Sequence, residues 1–353
     1  MRYFSTFSGI GGFELGIKYA LSATTGEQQG GDETNQPLYG ESLLGAQCVG
    51  YSEIDKYATQ IYQKHFPEHK AYGDITKIVA ADLPDFELLV GGFPCQSFSI
   101  AGKRRGFDDT RGTMFFELAR IIKEKQPRLF VFENVKGLLS HDNGNTFLTI
   151  ITTLDELGYD CQWQVLNSKN HGVPQNRERV FIIGHLRGTS RPEVFPFGAD
   201  NKETIERSVH TGTLTSRYPA SQREGTYIEE NGNPSGEIIQ INTPVHSNDR
   251  VYGAEGISPT LNTMQGGNRQ PFIQNPKMLN FKKDYENSAA ITATSYKEPP
   301  VVNAIRRLTP TECERLQGFP DGWTEGVSDT QRYKCCGNAV TVNVIKDIFE
   351  KIL

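Results

Sequence analysis

Short apolar runs alternate with amphipathic stretches through the first half of the chain. Residues 3–7, 48–52, 87–90, 129–133, 161–166 and 180–184 are strand-length and rich in aromatic and branched side chains. Between them, 13–20, 55–65, 112–124 and 145–157 carry apolar residues at helical spacing. Strands alternating with helices predict an α/β fold with a mostly parallel, doubly wound sheet of Rossmann-like character. Residues 22–47 break the pattern with Thr, Gly, Gln, Glu and Asn, and read as a loop inserted after the first helix. That helix runs back from the carboxyl edge of the sheet, which places the insertion far from a ligand bound at that edge.

Past residue 188 the character changes. Residues 190–303 are rich in Gly, Asn, Thr, Pro and Ser, with short strands and few helix signals. Gly212-Thr-Leu-Thr, Ser258-Pro-Thr-Leu-Asn-Thr and Ala289-Ala-Ile-Thr-Ala-Thr read as short, similar strands. Helical signals return with Thr309-Pro310, a cap followed by proline that starts a helix through Leu316, and a last helix follows Val340. The expected division is a first domain of 1–188 plus 305–353 and a smaller, mainly β or irregular second domain of 189–304.

With a formal charge of −5 the 353-residue chain is no general polyanion binder, so contact with a polyanion requires a local basic patch. None of the six cysteines forms a Cys-x-x-Cys pair, which argues against a zinc site, and the vicinal Cys335-Cys336 reads as two packed side chains. No charged leader precedes the first strand, and no apolar run approaches the ~20 residues of a bilayer span. A soluble, cytoplasmic protein of a reducing compartment is expected.

Chemistry concentrates at the predicted strand ends. Gly91-Gly92-Phe93-Pro94-Cys95-Gln96 follows an apolar run, so glycines and a φ-restricting proline deliver a cysteine into a loop. As a thiolate, that cysteine is a nucleophile. Phe7-Ser8-Gly9-Ile10-Gly11-Gly12-Phe13 links strand to helix and leaves backbone open to a nucleotide-like cofactor. It is not the dinucleotide fingerprint, because Glu14 stands where a third glycine belongs. Glu53 ends the second strand, where a carboxylate accepts from ribose hydroxyls, and Asp74 ends the next short segment, where one accepts from an adenine amine. Singly, each acid reads as well as a helix cap; at successive strand ends they outline an adenosine pocket. Glu133 ends a further strand beside the Cys95 loop. Arg177 and Arg179 alternate before the last strand, giving either a surface ion-pair strand or two guanidinium groups on one face.

In order, the chain carries FSGIGGF, the acid of YSEID, GDI, GGFPCQSFS, GTMFFELARI, FENV, QNRERVF, RRLTPTECERLQGFPD and CGNAV. With these motifs it resembles the DNA (cytosine-5)-methyltransferases of bacterial and phage restriction–modification systems, over 3–185 and 305–350. The resemblance implies methylation of carbon 5 of a cytosine flipped out of duplex DNA, with S-adenosyl-L-methionine as methyl donor. Cys95 would add to ring C6, Glu133 would contact N3 and the exocyclic amine, and Arg179, with Arg177, would hold the base carbonyl. Asn134 would tie the Cys95 loop to the scaffold. The donor would lie against Phe7, Gly9, Ile10, Gly11 and Gly12, with its ribose on Glu53 and its adenine between Ile54, Asp74 and Ile75. Pro94 and Met114 would complete the wall, and Asn338, Ala339 and Val340 would close it.

Residues 96–111 would form a loop over DNA, with Ser97, Ser99, Lys103, Arg104 and Arg105 on the backbone. The middle domain would read the target sequence, with Ser247 filling the vacated base space, Arg250 reaching guanine and Thr260 the flipped nucleotide's phosphate. Double-stranded DNA is the implied partner, alongside a restriction endonuclease that acts on the same site without a stable complex; the enzyme is expected to be a monomer without a metal. A tRNA cytosine-5 methyltransferase shares the catalytic motifs but not the long Gly- and Asn-rich middle segment. A silent DNA-binding relative would lack Cys95, Glu133 or the arginine pair. The incomplete glycine fingerprint disfavours a nicotinamide enzyme.

Overall fold

Six strands form one sheet in which four neighbours run parallel and the fifth is reversed. They are β1 (Arg2–Thr6), β2 (Gln47–Ser52), β3 (Leu88–Gly92), β4 (Leu129–Val135), β5 (Tyr159–Asn167) and β7 (Glu178–Leu186), in the order β2-β1-β3-β4-β7-β5. β7 is antiparallel to both β4 and β5, so its start lies at the same edge as the carboxyl ends of β1–β4. The computed structural model describes residues 1–25, 45–94, 114–197 and 308–353. It also describes the strand pairing of β8 (Val251–Tyr252), β9 (Ser258–Pro259), β10 (Phe272–Gln274) and β11 (Ile305–Arg307).

Helices α1 (Gly12–Thr25), α2 (Lys56–His65), α3 (Met114–Lys125) and α4 (Asn145–Glu156) connect the strands, and α5 (Pro310–Leu316), α6 (Asp329–Asn338) and α7 (Val342–Ile352) follow. Apolar runs occupy the central strands because both faces are covered. Phe4, Leu89, Phe130, Phe132 and Ile182 point to the side filled by Phe115, Ile122, Ile150 and Leu154 of α3 and α4. Tyr3, Leu88, Val90, Val131 and Ile183 point to the other side, filled by Ile17 of α1 and Ile345 and Phe349 of α7. The last helix thus completes the layer that the first begins.

Several boundaries differ from expectation. α1 continues to Thr25, with Leu21 still buried, so the predicted insertion loses its first residues to the helix; 26–44 lie outside the described residues. α6 was not anticipated, since among DTQRYKCCGN only Cys335, Cys336 and Gly337 are buried and no apolar stripe announces it. Both thiols are packed, and burial pushes Cys335 up to about 12. At α5 the predicted start holds, with Thr309 and Glu312 in a reciprocal capping box and Pro310 at the first turn. Residues past 188 stay on the sheet: Val194 is buried, and Lys351 Nζ donates to the carbonyls of Val194 at 3.0 Å and Pro196 at 3.1 Å.

Candidate active site

β1 ends in a turn whose backbone is left-handed at Phe7 (φ 50°), Gly9 (φ 57°) and Gly11 (φ 88°). Such φ values favour glycine and strain a phenylalanine. A Cβ on Gly9 would meet nothing within 4 Å, so the turn is open there. One on Gly12 would lie 2.7 Å from Val340 Cγ1, which shows how closely the C-terminal segment approaches. Beneath the turn, Ser8 N donates to Ser52 O at 3.2 Å and Ser8 Oγ to Ser5 Oγ at 2.9 Å. Trp323 Nε1 donates to Ile10 O at 2.8 Å, and the Ile10 side chain is buried in the core, so Ile10 offers a ligand only backbone.

Glu53 joins the turn to the end of β2. Its Oε2 accepts from Gly9 N at 2.9 Å, and its Oε1 accepts from Ile54 N and Asp55 N, each at 2.8 Å. The Ile54 side chain beside it is 76% exposed, unusual for so large an apolar group. Ser52 Oγ donates to Gly73 O at 2.6 Å and brings Asp74 alongside. Asp74 does not end a strand, as the sequence reading had it. It caps a 3-10 turn, Ile75–Lys77, and bonds from the Thr76 side chain and amide hold its carboxyl below the usual range.

Ile75 is buried in the core and anchors that turn rather than facing outward; Arg120 of α3 donates to Ile75 O at 3.0 Å and Ile78 O at 2.8 Å. Met114 packs part-buried at the start of α3, while Pro94 and Asn338 are exposed and Ala339 and Val340 buried. An open glycine, an exposed isoleucine and two carboxylates with free lone pairs fit a ligand that pairs hydroxyls and an amine with a flat apolar ring.

The second half of the site lies across β3, β4 and β7. Gly92 pairs with Glu133, and a Cβ there would stand 3.0 Å from Glu133 Oε2, so the glycine makes room for the carboxyl. Arg179 pairs with Val135, which sets it diagonally across from Glu133, and its Nε lies 3.0 Å from Glu133 Oε1. Asn134 is buried, and its Nδ2 donates to Phe93 O at 2.9 Å, tethering the chain two residues before Cys95.

Arg177 departs from the expectation of two guanidinium groups turned to one task. It sits in the break between β6 (Gln175–Asn176) and β7, fully buried, and its Nη2 donates to Gly337 O at 3.2 Å and Ala339 O at 2.9 Å. It therefore braces the segment around Asn338. Burial, and then the Arg179 charge, pushes it down to about 9, against the pull of Glu133. Sequence reasoning missed the long-range braces, Trp323 on Ile10 and Lys334 on Asp55, because nothing local marks contacts so distant in sequence.

Cys95, Ser97, Ser99, Lys103, Arg104, Arg105, Ser247, Arg250 and Thr260 lie outside the described residues. β9, ending one residue before Thr260, pairs parallel with β6, ending one residue before Arg177. Among the described residues no helix is long and apolar enough to cross a membrane, and no cluster of three metal-ligating side chains occurs.

Comparison with known proteins agrees with this layout. The family model for C-5 cytosine-specific DNA methylases matches residues 1–353. The type II methyltransferase M1.ScrFI of Lactococcus lactis subsp. cremoris is 38% identical over 308 residues, covering 86% of this chain and 71% of its own. M.HhaI of Haemophilus parahaemolyticus is 32% identical over 353 residues, covering 99% and 93%. The orphan methyltransferase M.SPRI of Bacillus phage SPR is 31% identical over 449 residues, covering 100% and 97%. The Dnmt2 methyltransferase of S. pombe shares the fold, with a TM-score of 0.60 at 19% identity over 99% of this chain and 97% of that one. The chain belongs to the C-5 cytosine-specific DNA methylases and is a DNA cytosine-5-methyltransferase.

Proposed function

We propose that this enzyme methylates one cytosine within a short duplex sequence through a covalent adduct between Cys95 and ring C6. The observation that carries the reading is the Glu133–Arg179 pair, held at 3.0 Å where β3 releases the chain toward Cys95. The base must leave the stack, rotating by ~180°, to reach a site walled by strand ends. Cys95 then attacks C6 as a thiolate. Glu133 meets N3 and the exocyclic amine, stabilising the charge that addition sends into the ring, and Arg179 meets the base carbonyl. Asn134 holds the Phe93 carbonyl, two residues before the nucleophile. Bound S-adenosyl-L-methionine would supply an electrophilic methyl group to C5. Loss of the C5 proton and departure of Cys95 restore the aromatic ring.

The donor would rest on Phe7, Gly9 and Ile54, with Glu53 on its ribose, Asp74 on its adenine and Asn338 closing over it. Arg177 serves this half of the site by bracing Gly337 and Ala339. The catalytic body comprises 1–197 and 308–353, and the intervening segment reads the target, with Ser247, Arg250 and Thr260 as its contacts. The relatives favour a restriction–modification setting, and the phage orphan relative leaves a stand-alone enzyme as the second reading.

The test incubates unmethylated plasmid with protein and S-adenosyl-L-methionine and maps 5-methylcytosine by bisulfite sequencing, beside Cys95→Ala. One short sequence fully modified by the wild type and untouched by the variant supports the proposal. Modification that survives Cys95→Ala overturns the adduct.

A further inference from the structure

Glu14 occupies the first turn of α1, directly beneath the cofactor turn, and is fully buried. Tyr62 Oη donates to its Oε1 at 3.0 Å, and Tyr62 Oη also meets His69 Nδ1 at 2.9 Å. The Ser5 hydroxyl also bonds to the carboxyl, Ser8 Oγ donates to Ser5 Oγ at 2.9 Å, and the second carboxyl oxygen, Oε2, is buried without a hydrogen-bond partner. Ser5, Ser8, Tyr62 and His69 are all buried, so the chain of polar groups is closed to bulk water. Inside the protein each remaining bond of such a network is strong and costly to break.

The outer end of the network is the turn itself. Ser8 N reaches Ser52 O and Gly11 N reaches Ser8 O at 3.0 Å, and the left-handed Phe7 and Gly9 flank Ser8 on either side. The strain at Phe7 persists only if its surroundings hold it. Apolar packing would fill the space below α1 equally well; a carboxyl there supplies what packing does not, an acceptor for converging hydroxyls.

We propose that Glu14 is a positioning residue for the methyl donor: through the Ser5 and Ser8 hydroxyls its carboxyl holds the turn from Phe7 to Gly11 in the shape that receives the donor. The inference rests on the reading of that turn as the donor site. Burial raises the Glu14 pKa, so a neutral amide is a fair replacement and Glu14→Gln retains the network.

The full-length protein is titrated with S-adenosyl-L-methionine by calorimetry, with melting curves of the free protein and kcat at saturating donor measured alongside. Glu14→Leu is expected to raise Kd by about tenfold with kcat within about twofold, while Glu14→Gln binds like the wild type. Glu14→Leu combined with Ser8→Ala is expected to weaken binding no more than the larger single change, as coupled neighbours do. A folded Glu14→Leu with lower Tm and unchanged Kd, or additive effects with Ser8→Ala, overturns the proposal. Should Glu14→Leu not fold, Ser5→Ala makes the same break with less disturbance, and an unchanged Kd there overturns it equally. Wild-type protein that binds no donor defeats the reading of the site itself, whereas wild-type binding matched by Glu14→Leu defeats this inference alone.

Discussion

At the residue scale the candidate site is a set of tethers around the groups proposed to react. Arg179→Ala leaves the Glu133 carboxyl, 13% exposed, without its charged partner. That should cost about 1–3 kcal/mol of stability. Turnover should fall by roughly 10² or more. Denaturant melts and initial rates on a plasmid substrate measure the two. Asn134→Ala should cost a similar 1–3 kcal/mol, because the buried Phe93 carbonyl loses its donor, and should lower kcat while leaving KM for the methyl donor unchanged. Arg177→Lys should act the other way, raising KM for the donor with kcat nearly kept, since a single ammonium does not reproduce a guanidinium spanning the Gly337 and Ala339 carbonyls. The places of Glu133 and Arg179 were legible in the sequence because each stands at an identifiable strand end. The task of Arg177 was not, since its partners lie 160 residues along the chain or more.

At the scale of elements, the sheet was legible because strands buried on both faces must be apolar throughout. The direction of β7 was not, because an apolar run carries no polarity, and only pairing with β4 and β5 reveals it. That reversal creates the site, for a parallel β7 would carry Arg179 to the far edge. The reversal also buries His185 in β7, opposite Leu129 and Asp160. Burial pushes its pKa down to about 4, and Arg191 and Arg128 add to the effect. The folded state therefore binds fewer protons than the unfolded chain between pH 4 and 6.5. Stability contributed by the neutral ring is whole above about pH 6.5 and is lost as the pH falls through that window, on the order of 3 kcal/mol. Melting temperature against pH should show the decline, and His185→Gln should flatten it.

At the scale of the whole molecule, an acidic protein must hold an acidic polymer. Its net charge is −5, so long-range attraction cannot come from the surface as a whole. Residues 96–111 carry Lys103, Arg104, Arg105 and Arg111 against Asp108 and Asp109, a local basic excess in the sequence that suits the proposed contact with phosphates. Each basic residue that neutralises a phosphate releases condensed counterion, which contributes about −0.9 to the slope of log K against log salt. Replacing Arg104 with alanine should therefore weaken binding to all duplexes alike and make the slope shallower by about one. Arg250→Ala, in the segment proposed to read bases, should leave the slope nearly intact. It should instead cost roughly 1–3 kcal/mol on the methylated sequence and relax preference at one base pair. Fluorescence anisotropy over a salt series, on a cognate and a scrambled duplex, separates the two. If Arg104→Ala altered sequence preference while leaving the slope unchanged, loop and middle segment would have exchanged roles, and the division between catalytic body and reading domain would fall with them.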